Sequence, residues 1–137
     1  MSSPNAKIIS VDYQPTATMR NWFKRRMGLY QAFTSNGQKM HLIMGDSHKK
    51  ETKNMAKRLL GKAKLDLLFI DGDHRYEGVK ADYKRYSSFV KKGGIIAFHD
   101  ITRVPEVKKF WDELKINVPH ASEINHHNGW GIGIINK

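Results

Sequence analysis

The sequence predicts an α/β fold: a mostly parallel sheet with helices on both faces and an antiparallel strand pair at the C-terminus. Three observations lead there. Short β-branched and apolar runs alternate with segments whose apolar residues recur at three-and-four spacing. One run, Leu65–Ile70, is apolar at every position except Asp66, as suits a strand covered on both faces. The tail holds two strand-like runs with no helical segment between them.

Taken in order, Ile8-Ile9-Ser10-Val11 reads as a strand ended by Asp12, and Pro15 then breaks the chain. Met19, Trp22, Phe23, Met27, Tyr30 and Phe33 share one helix face, with Thr16 or Thr18 as N-cap and Asn36-Gly37 as the stop. His41-Leu42-Ile43-Met44 is a second strand, and Met55, Ala56, Leu59 and Leu60 mark a helix closed by Gly61. The third strand, at Leu65–Ile70, belongs at the centre of the sheet. Tyr76, Val79, Tyr83, Tyr86 and Val90 keep helical spacing up to Gly93-Gly94, where Ile95-Ile96-Ala97-Phe98 begins a fourth strand. The three tyrosines read as a packing stripe. Residues 105–114 suit a helix with Pro105 in its first turn and Val107, Phe110, Trp111 and Leu114 inward. Residues 121–125 and 130–135, joined by His126-His127-Asn128-Gly129, form the antiparallel pair, with Trp130 expected in the core.

With 137 residues, no internal repeat and no low-complexity linker, a single domain over residues 1–137 is expected. Hydrophobic residues at 39% and charged residues at 27% give a globular balance and exclude a disordered chain. No apolar run approaches the ~20 residues of a membrane span. The start of the chain has no apolar signal core and there is no cysteine, so a cytoplasmic location is expected. The net charge of +11 raises the prospect of an anionic partner, against the plainer reading of a solvated basic face.

In parallel sheets of this kind, ligands bind beyond the carboxyl ends of the strands. Here those ends carry Asp12-Tyr13, Gly45-Asp46-Ser47, Asp71-Gly72-Asp73-His74 and His99-Asp100. Asp12 suits an acid that accepts hydrogen bonds from ribose hydroxyls, or an ordinary turn aspartate. Asp46 and Ser47 suit helix capping or contact with an adenine amino group, and capping is the simpler reading. Asp71, Asp73 and Asp100 bring carboxylates to adjacent strand ends, where a hard divalent cation would offset their repulsion. His74 and His99 flank them, and histidine is the side chain suited to taking a proton from a hydroxyl near neutral pH. Gly72 gives the turn its backbone freedom. His126-His127 looks like a metal pair, but neighbours along a strand point to opposite faces.

Leu65-Asp66-Leu67-Leu68-Phe69-Ile70-Asp71-Gly72-Asp73-His74-Arg75-Tyr76, then Asp82, then Gly93-Gly94-Ile95-Ile96-Ala97-Phe98-His99-Asp100, resembles class I S-adenosylmethionine-dependent methyltransferases. The similarity is to the small-molecule O-methyltransferases related to macrocin O-methyltransferase and the cephalosporin-hydroxylase group. Residues 107–114 and Gly129-Trp130-Gly131-Ile132-Gly133 resemble that family's last helix and strand. The resemblance implies a Rossmann-like methyltransferase fold with S-adenosylmethionine as cofactor. It implies cofactor contacts at Asp12, Tyr13, Asp46, Ser47, Asp71 and Gly72, and metal ligands, for Mg²⁺ in part of the family, at Asp71, Asp73 and Asp100. His74 and His99 become the candidate bases for a hydroxyl on a small molecule or sugar.

The family's opening strand, Gly-rich loop and helix have no counterpart before Ile8 in this sequence, so an N-terminally truncated form of the fold is expected. In the family's strand order that strand lies between those at residues 8–12 and Leu65–Ile70. Its absence predicts open strand edges, and with them a homo-oligomer that covers the edges. Methyl transfer is therefore the first functional expectation. A non-catalytic protein of this fold holding nucleic acid or another anion is the second, and a metal-dependent phosphoesterase the third.

Overall fold

The computed structural model describes residues 3–13, 16, 21, 25, 28–30, 32, 34, 37–125 and 129–137. They fall into two compact units, Met1–Gly61 and Lys62–Lys137.

In the first unit, β1 (Lys7–Asp12) and β2 (Lys39–Met44) pair in parallel, from Lys7 opposite Lys39 to Asp12 opposite Met44. The ladder continues past both ends, since Lys39 N–H donates to Ala6 O and Gly45 N–H to Asp12 O, each at 2.9 Å. Helix α1 (Lys50–Leu60) buries Thr52, Ala56 and Leu60, one face at four-residue spacing, and Ile43 of β2 is buried in the same unit. Met55, expected on the inward face, is instead 42% exposed, because the Thr52 face and not the Met55 face turns inward. Gly61, at φ +68°, closes the helix by donating to Lys57 O. For the helix expected over residues 19–33, Met19, Trp22, Phe23, Met27 and Phe33 lie outside the described residues, as do Pro15, Thr18 and Asn36. The described positions Asn21, Arg25, Gly28, Leu29, Tyr30 and Ala32 are helical.

The second unit runs β3 (Leu65–Ile70), α2 (Tyr76–Tyr86), a short 3₁₀ turn (Ser87–Phe89), β4 (Val90–His99), α3 (Pro105–Asn117), β5 (Ala121–Ile124) and β6 (Ile132–Asn136). Its sheet has the order β3-β4-β6-β5, with β3 parallel to β4 and the tail strands antiparallel. The expected antiparallel tail is thus present; residues 126–128 of its connection lie outside the described residues. The chain has an α/β architecture of mixed pairing, as the sequence predicts.

Helices α2 and α3 lay Val79, Val107, Phe110 and Trp111 on Ile70, Ile96, Phe98 and Ile135. Phe98 is fully buried and its ring packs against those of Tyr83, Phe110 and Trp111, at centroid separations of 5.8, 6.0 and 5.6 Å. Tyr76, Tyr83 and Tyr86 do form a packing stripe: Tyr86 is buried and the other two flank the core. Trp111 is 1% exposed and its indole N–H donates to Glu123 Oε1 at 2.7 Å. Gly133 of β6 makes room for it, because a Cβ there would lie 2.7 Å from the indole.

Three local expectations change. Helix α2 stops at Tyr86, and Val90 opens a strand that continues past Gly93-Gly94 with a bulge, since Val90 faces Leu65 but Ile95 faces Leu67 and Gly93 lies at φ +75°. Strand β3, expected at the centre, is the edge strand of its own unit, with Leu67 and Phe69 half exposed. Helices α2 and α3 pack into the core with Ile70, Ile96 and Phe98, and alternation turns Leu67 and Phe69 to the other face of the sheet. Trp130, expected in the core, is 49% exposed. No helix among the described residues is long and apolar enough to cross a membrane.

Removing the Trp111 ring would leave a large cavity, so Trp111→Ala should destabilise the second unit by about 3–5 kcal/mol, read as a lower urea midpoint at unchanged far-UV signal. The Trp111 hydrogen bond, with help from Lys115 and Asn125, holds the Glu123 carboxyl below its usual range. A lowered folded value means that this stabilisation is full above the usual glutamate range and is lost as pH falls through the folded value. Glu123→Gln should therefore flatten the acid-side decline in thermal midpoint between about pH 5 and pH 3, and an unaltered decline would contradict the assignment.

Candidate active site

In the β3–β4 register Ile70 stands opposite Phe98, so the residues that follow emerge side by side. From β3 come Asp71 and His74; from β4 come His99 and Asp100. His74 Nε2 lies 3.0 Å from Asp100 Oδ2 and 3.6 Å from Asp71 Oδ1. His99 Nδ1 lies 3.5 Å from Asp71 Oδ1 and 2.7 Å from Asp100 Oδ1. Two carboxylates and two imidazoles thus share one strand edge. Asp100 is the enclosed member at 4% exposure, while the side chains of Asp71 and His74 are nearly half open to solvent.

The enclosed carboxylate is flanked by imidazole nitrogen on both oxygens, His99 Nδ1 at 2.7 Å from Oδ1 and His74 Nε2 at 3.0 Å from Oδ2. Its backbone is also unusual: Asp100 adopts φ +66°, which costs a non-glycine residue about 1–3 kcal/mol and here aims the carboxylate back toward the turn. Opposite, the Asp71–His74 turn rests on Asp82 of α2, a buried acid whose Oδ2 would lie 3.2 Å from a Cβ at Gly72. A side chain at Gly72 would press on that carboxylate, which would have to give by a few tenths of an ångström; Gly72 is not among the glycines at positive φ.

Asp73 turns away from the cluster. Its carboxylate takes Arg75 Nε at 3.0 Å and Arg75 Nη2 at 2.5 Å, and its Oδ1 also accepts the Arg75 backbone N–H. The sequence grouped Asp73 with Asp71 and Asp100 as cation ligands. Among the described residues, one donor atom each from Asp71, His74 and Asp100 falls within 4.8 Å of the others. Alternation in a turn is not fixed as it is in a strand, so sequence alone could not tell which of residues 73 and 74 faces the pair.

In the first unit, Asp12 ends β1 and its carbonyl holds Gly45, so Asp12, Tyr13, Asp46 and Ser47 share the carboxyl edge of that sheet. Tyr13 is 60% exposed. Asp46 does not cap α1, whose N-cap is Lys49 without a side-chain cap bond. Its Oδ1 accepts His48 N–H at 2.8 Å, an Asx turn that leads into the helix.

One feature of the rim carries no sequence signal. After Asp100 the chain is tied to the entry of β6, with Thr102 N–H on Trp130 O at 3.1 Å and Thr102 Oγ1 on Gly129 O at 3.0 Å. The Arg103 guanidinium lies 5.1 Å from the centre of the exposed Trp130 ring. These residues are distant in sequence and meet only because β6 returns beside β4.

An α/β fold with its acids and imidazoles at the carboxyl ends of parallel strands is that of a class I methyltransferase. The chain belongs to the methyltransferase-domain family whose sequence profile matches residues 2–101. An uncharacterized protein of Acanthamoeba polyphaga mimivirus is 53% identical over 36 residues, a stretch covering 26% of this chain and 16% of that protein. Apo CalS11, a TDP-rhamnose 3'-O-methyltransferase of calicheamicin biosynthesis, superimposes with a TM-score of 0.66 at 17% identity, covering 98% of this chain and 60% of that one. MycE, the methyltransferase of the mycinamycin pathway in complex with Mg and SAH, gives a TM-score of 0.58 at 13% identity over 97% of this chain and 45% of that one. At such identities the likeness is one of fold, and the chain spans 60% of the first of these two proteins and 45% of the second.

Gly78, in the first turn of α2, tests the placement of Asp73. Alanine in a helix is ordinarily about 1 kcal/mol better than glycine. Here its Cβ would overlap the Asp73 carboxylate. Gly78→Ala should therefore destabilise the protein in urea unfolding; a gain near the helix-propensity value would show that Asp73 lies elsewhere.

Proposed function

We propose that this chain carries the site of an S-adenosylmethionine-dependent O-methyltransferase acting on the hydroxyl of a small molecule or sugar. The observation that supports it best is the Asp71–His74–His99–Asp100 cluster at the ends of two parallel strands. The buried Asp100 carboxylate between two imidazoles and the open flank at Asp71 and His74 suit a site that receives a substrate oxygen and, beside it, a cation. S-adenosylmethionine, when bound, supplies an electrophilic methyl group on sulfur. The chain's own residues are assigned the remainder. An imidazole, His74 or His99, accepts the proton of the acceptor hydroxyl as its oxygen bonds to the methyl carbon, and the Asp71 and Asp100 carboxylates hold that imidazole in place. The products are the methyl ether and S-adenosylhomocysteine. Asp12 is assigned to the ribose hydroxyls, Tyr13, Asp46 and Ser47 to the adenine surroundings, and Gly72 to close approach of the backbone. Asp71 and Asp100 are the carboxylates that would hold a divalent metal.

A second reading, binding of a polyanion such as RNA, is favoured by one observation. Lys49, Lys50, Lys53, Lys57 and Arg58 gather on and just before α1, where Glu51 is the sole acid. Steep loss of RNA affinity with added salt would support it.

Calorimetry separates the two. S-adenosylmethionine should bind in the micromolar to low millimolar range, and Asp12→Ala should weaken it by about tenfold, the loss of a hydrogen-bonded charge. No binding at millimolar ligand, with or without divalent metal, sinks the methyltransferase reading. With a hydroxyl acceptor in hand, loss of the catalytic imidazole should lower kcat by about 10²–10⁴-fold while cofactor affinity stays within a few-fold.

A further inference from the structure

Resting on the reading above for the place of the acceptor hydroxyl, we infer that Arg103 and Trp130 form an anion subsite for the acceptor, which is then a phosphorylated small molecule such as a sugar phosphate. Arg103 is exposed, and its guanidinium lies 5.1 Å from the centre of the Trp130 ring. Among the described residues no carboxylate pairs with it, whereas the Arg75 guanidinium is taken up by Asp73. A guanidinium laid on an indole keeps its N–H edge open, and that planar fork matches the oxygens of a phosphate. The chain's net charge of +11 favours phosphate over a singly charged carboxylate.

The backbone fixes this pair beside the candidate active site. Val104 N–H donates to Asp100 O at 3.3 Å, so the chain turns back on itself there and Arg103 Cα stays within about 11 Å of Asp100 Cα. The return of β6 brings Trp130 to the same edge. Ile132, two residues further on, is the register partner of His99, and Trp130 O accepts Thr102 N–H at 3.1 Å. Between them Gly131 adopts φ +73°, and a Cβ there would lie 2.5 Å from Thr102 Cγ2 and 2.7 Å from Asn125 Oδ1. Only glycine lets the two loops meet so closely. The indole is 49% exposed and takes no part in the core cluster, so it is held in place as a support for the guanidinium. Trp130 is thus a positioning residue that acts through Arg103. A phosphate on Arg103 and a hydroxyl at the Asp71–His99 edge stand along one rim, with a sugar ring spanning them.

Titration calorimetry of the whole chain with glucose 1-phosphate, glucuronate and glucose, at one ionic strength, tests this. Glucose 1-phosphate should bind at least about tenfold more tightly than either of the others. Arg103→Gln should weaken it by about tenfold or more, and Arg103→Lys should restore only part, since lysine keeps the charge without the fork. Trp130→Leu should weaken it by about threefold, and Trp130→Tyr, which keeps an aromatic face, should recover most of the loss. Both side chains are exposed, and far-UV spectra with thermal melts confirm that each variant is folded. Equal binding of glucuronate, no binding of glucose 1-phosphate, or binding indifferent to Arg103→Gln overturns the inference; the last result would place the anion on the basic surface of α1. S-adenosylmethionine titrated into the same variants separates the two readings. Its binding within about threefold of the parent, beside failed phosphate discrimination, sinks the subsite alone. Its absence beside Arg103-dependent phosphate binding sinks methyl transfer and leaves the anion subsite.

Discussion

The parallel pairing of β3 with β4 is the constraint on which the candidate site depends. Ile70 and Phe98 are register partners, and both are held by the same helices, so neither strand can slip without lifting its buried side chains out of the core. That register delivers Asp71 and Asp100 to the same edge. The core therefore brings together like charges that would otherwise separate, with the two imidazoles set against both carboxylates. Packing of Phe98, Phe110 and Trp111 supplies the energy for an arrangement that is locally unfavourable.

The tail supports the same edge from the other side. Strand β6 pairs antiparallel with β4, placing Ile132 opposite His99, and the Thr102 contacts fasten the loop after Asp100 to the start of β6. Gly133 is the point where this support meets the core, since only a residue without a side chain lets β6 pass against the Trp111 indole. Burial of that ring, its bond to Glu123 and the left-handed backbone at Asp100 are thus parts of one mechanical unit. The strain at Asp100 persists because the strands on both sides of it are fixed.

Much of the fold was legible in the sequence because its signals are local. Strands β1, β2, β3 and β6, the end of α1 at Gly61 and the inward face of α3 all follow from periodicity and turn residues. The strand-end acids and the motif around Asp71 and Asp100 were legible for the same reason, since the chemistry sits immediately after each apolar run. Boundaries were less so: α2 ends early because Val90 is better buried in a strand than as the last member of a helical stripe. Trp130 and Met55 read as core because an apolar residue at the right spacing does not say whether anything covers it.

Sequence by itself determined the α/β class, the alternation of elements, the family and the set of acids and histidines offered at the strand ends. These rest on periodicity, on residue types with few alternative uses, and on motif order. Tertiary structure alone decided which of those residues face one another. It turned Asp73 to Arg75 and His74 to Asp100, buried Asp100 between two imidazoles, brought Arg103 to Trp130, and made β3 the edge of its unit. Each depends on a turn's side-chain direction or on a strand returning from far along the chain, and neither is encoded in local spacing.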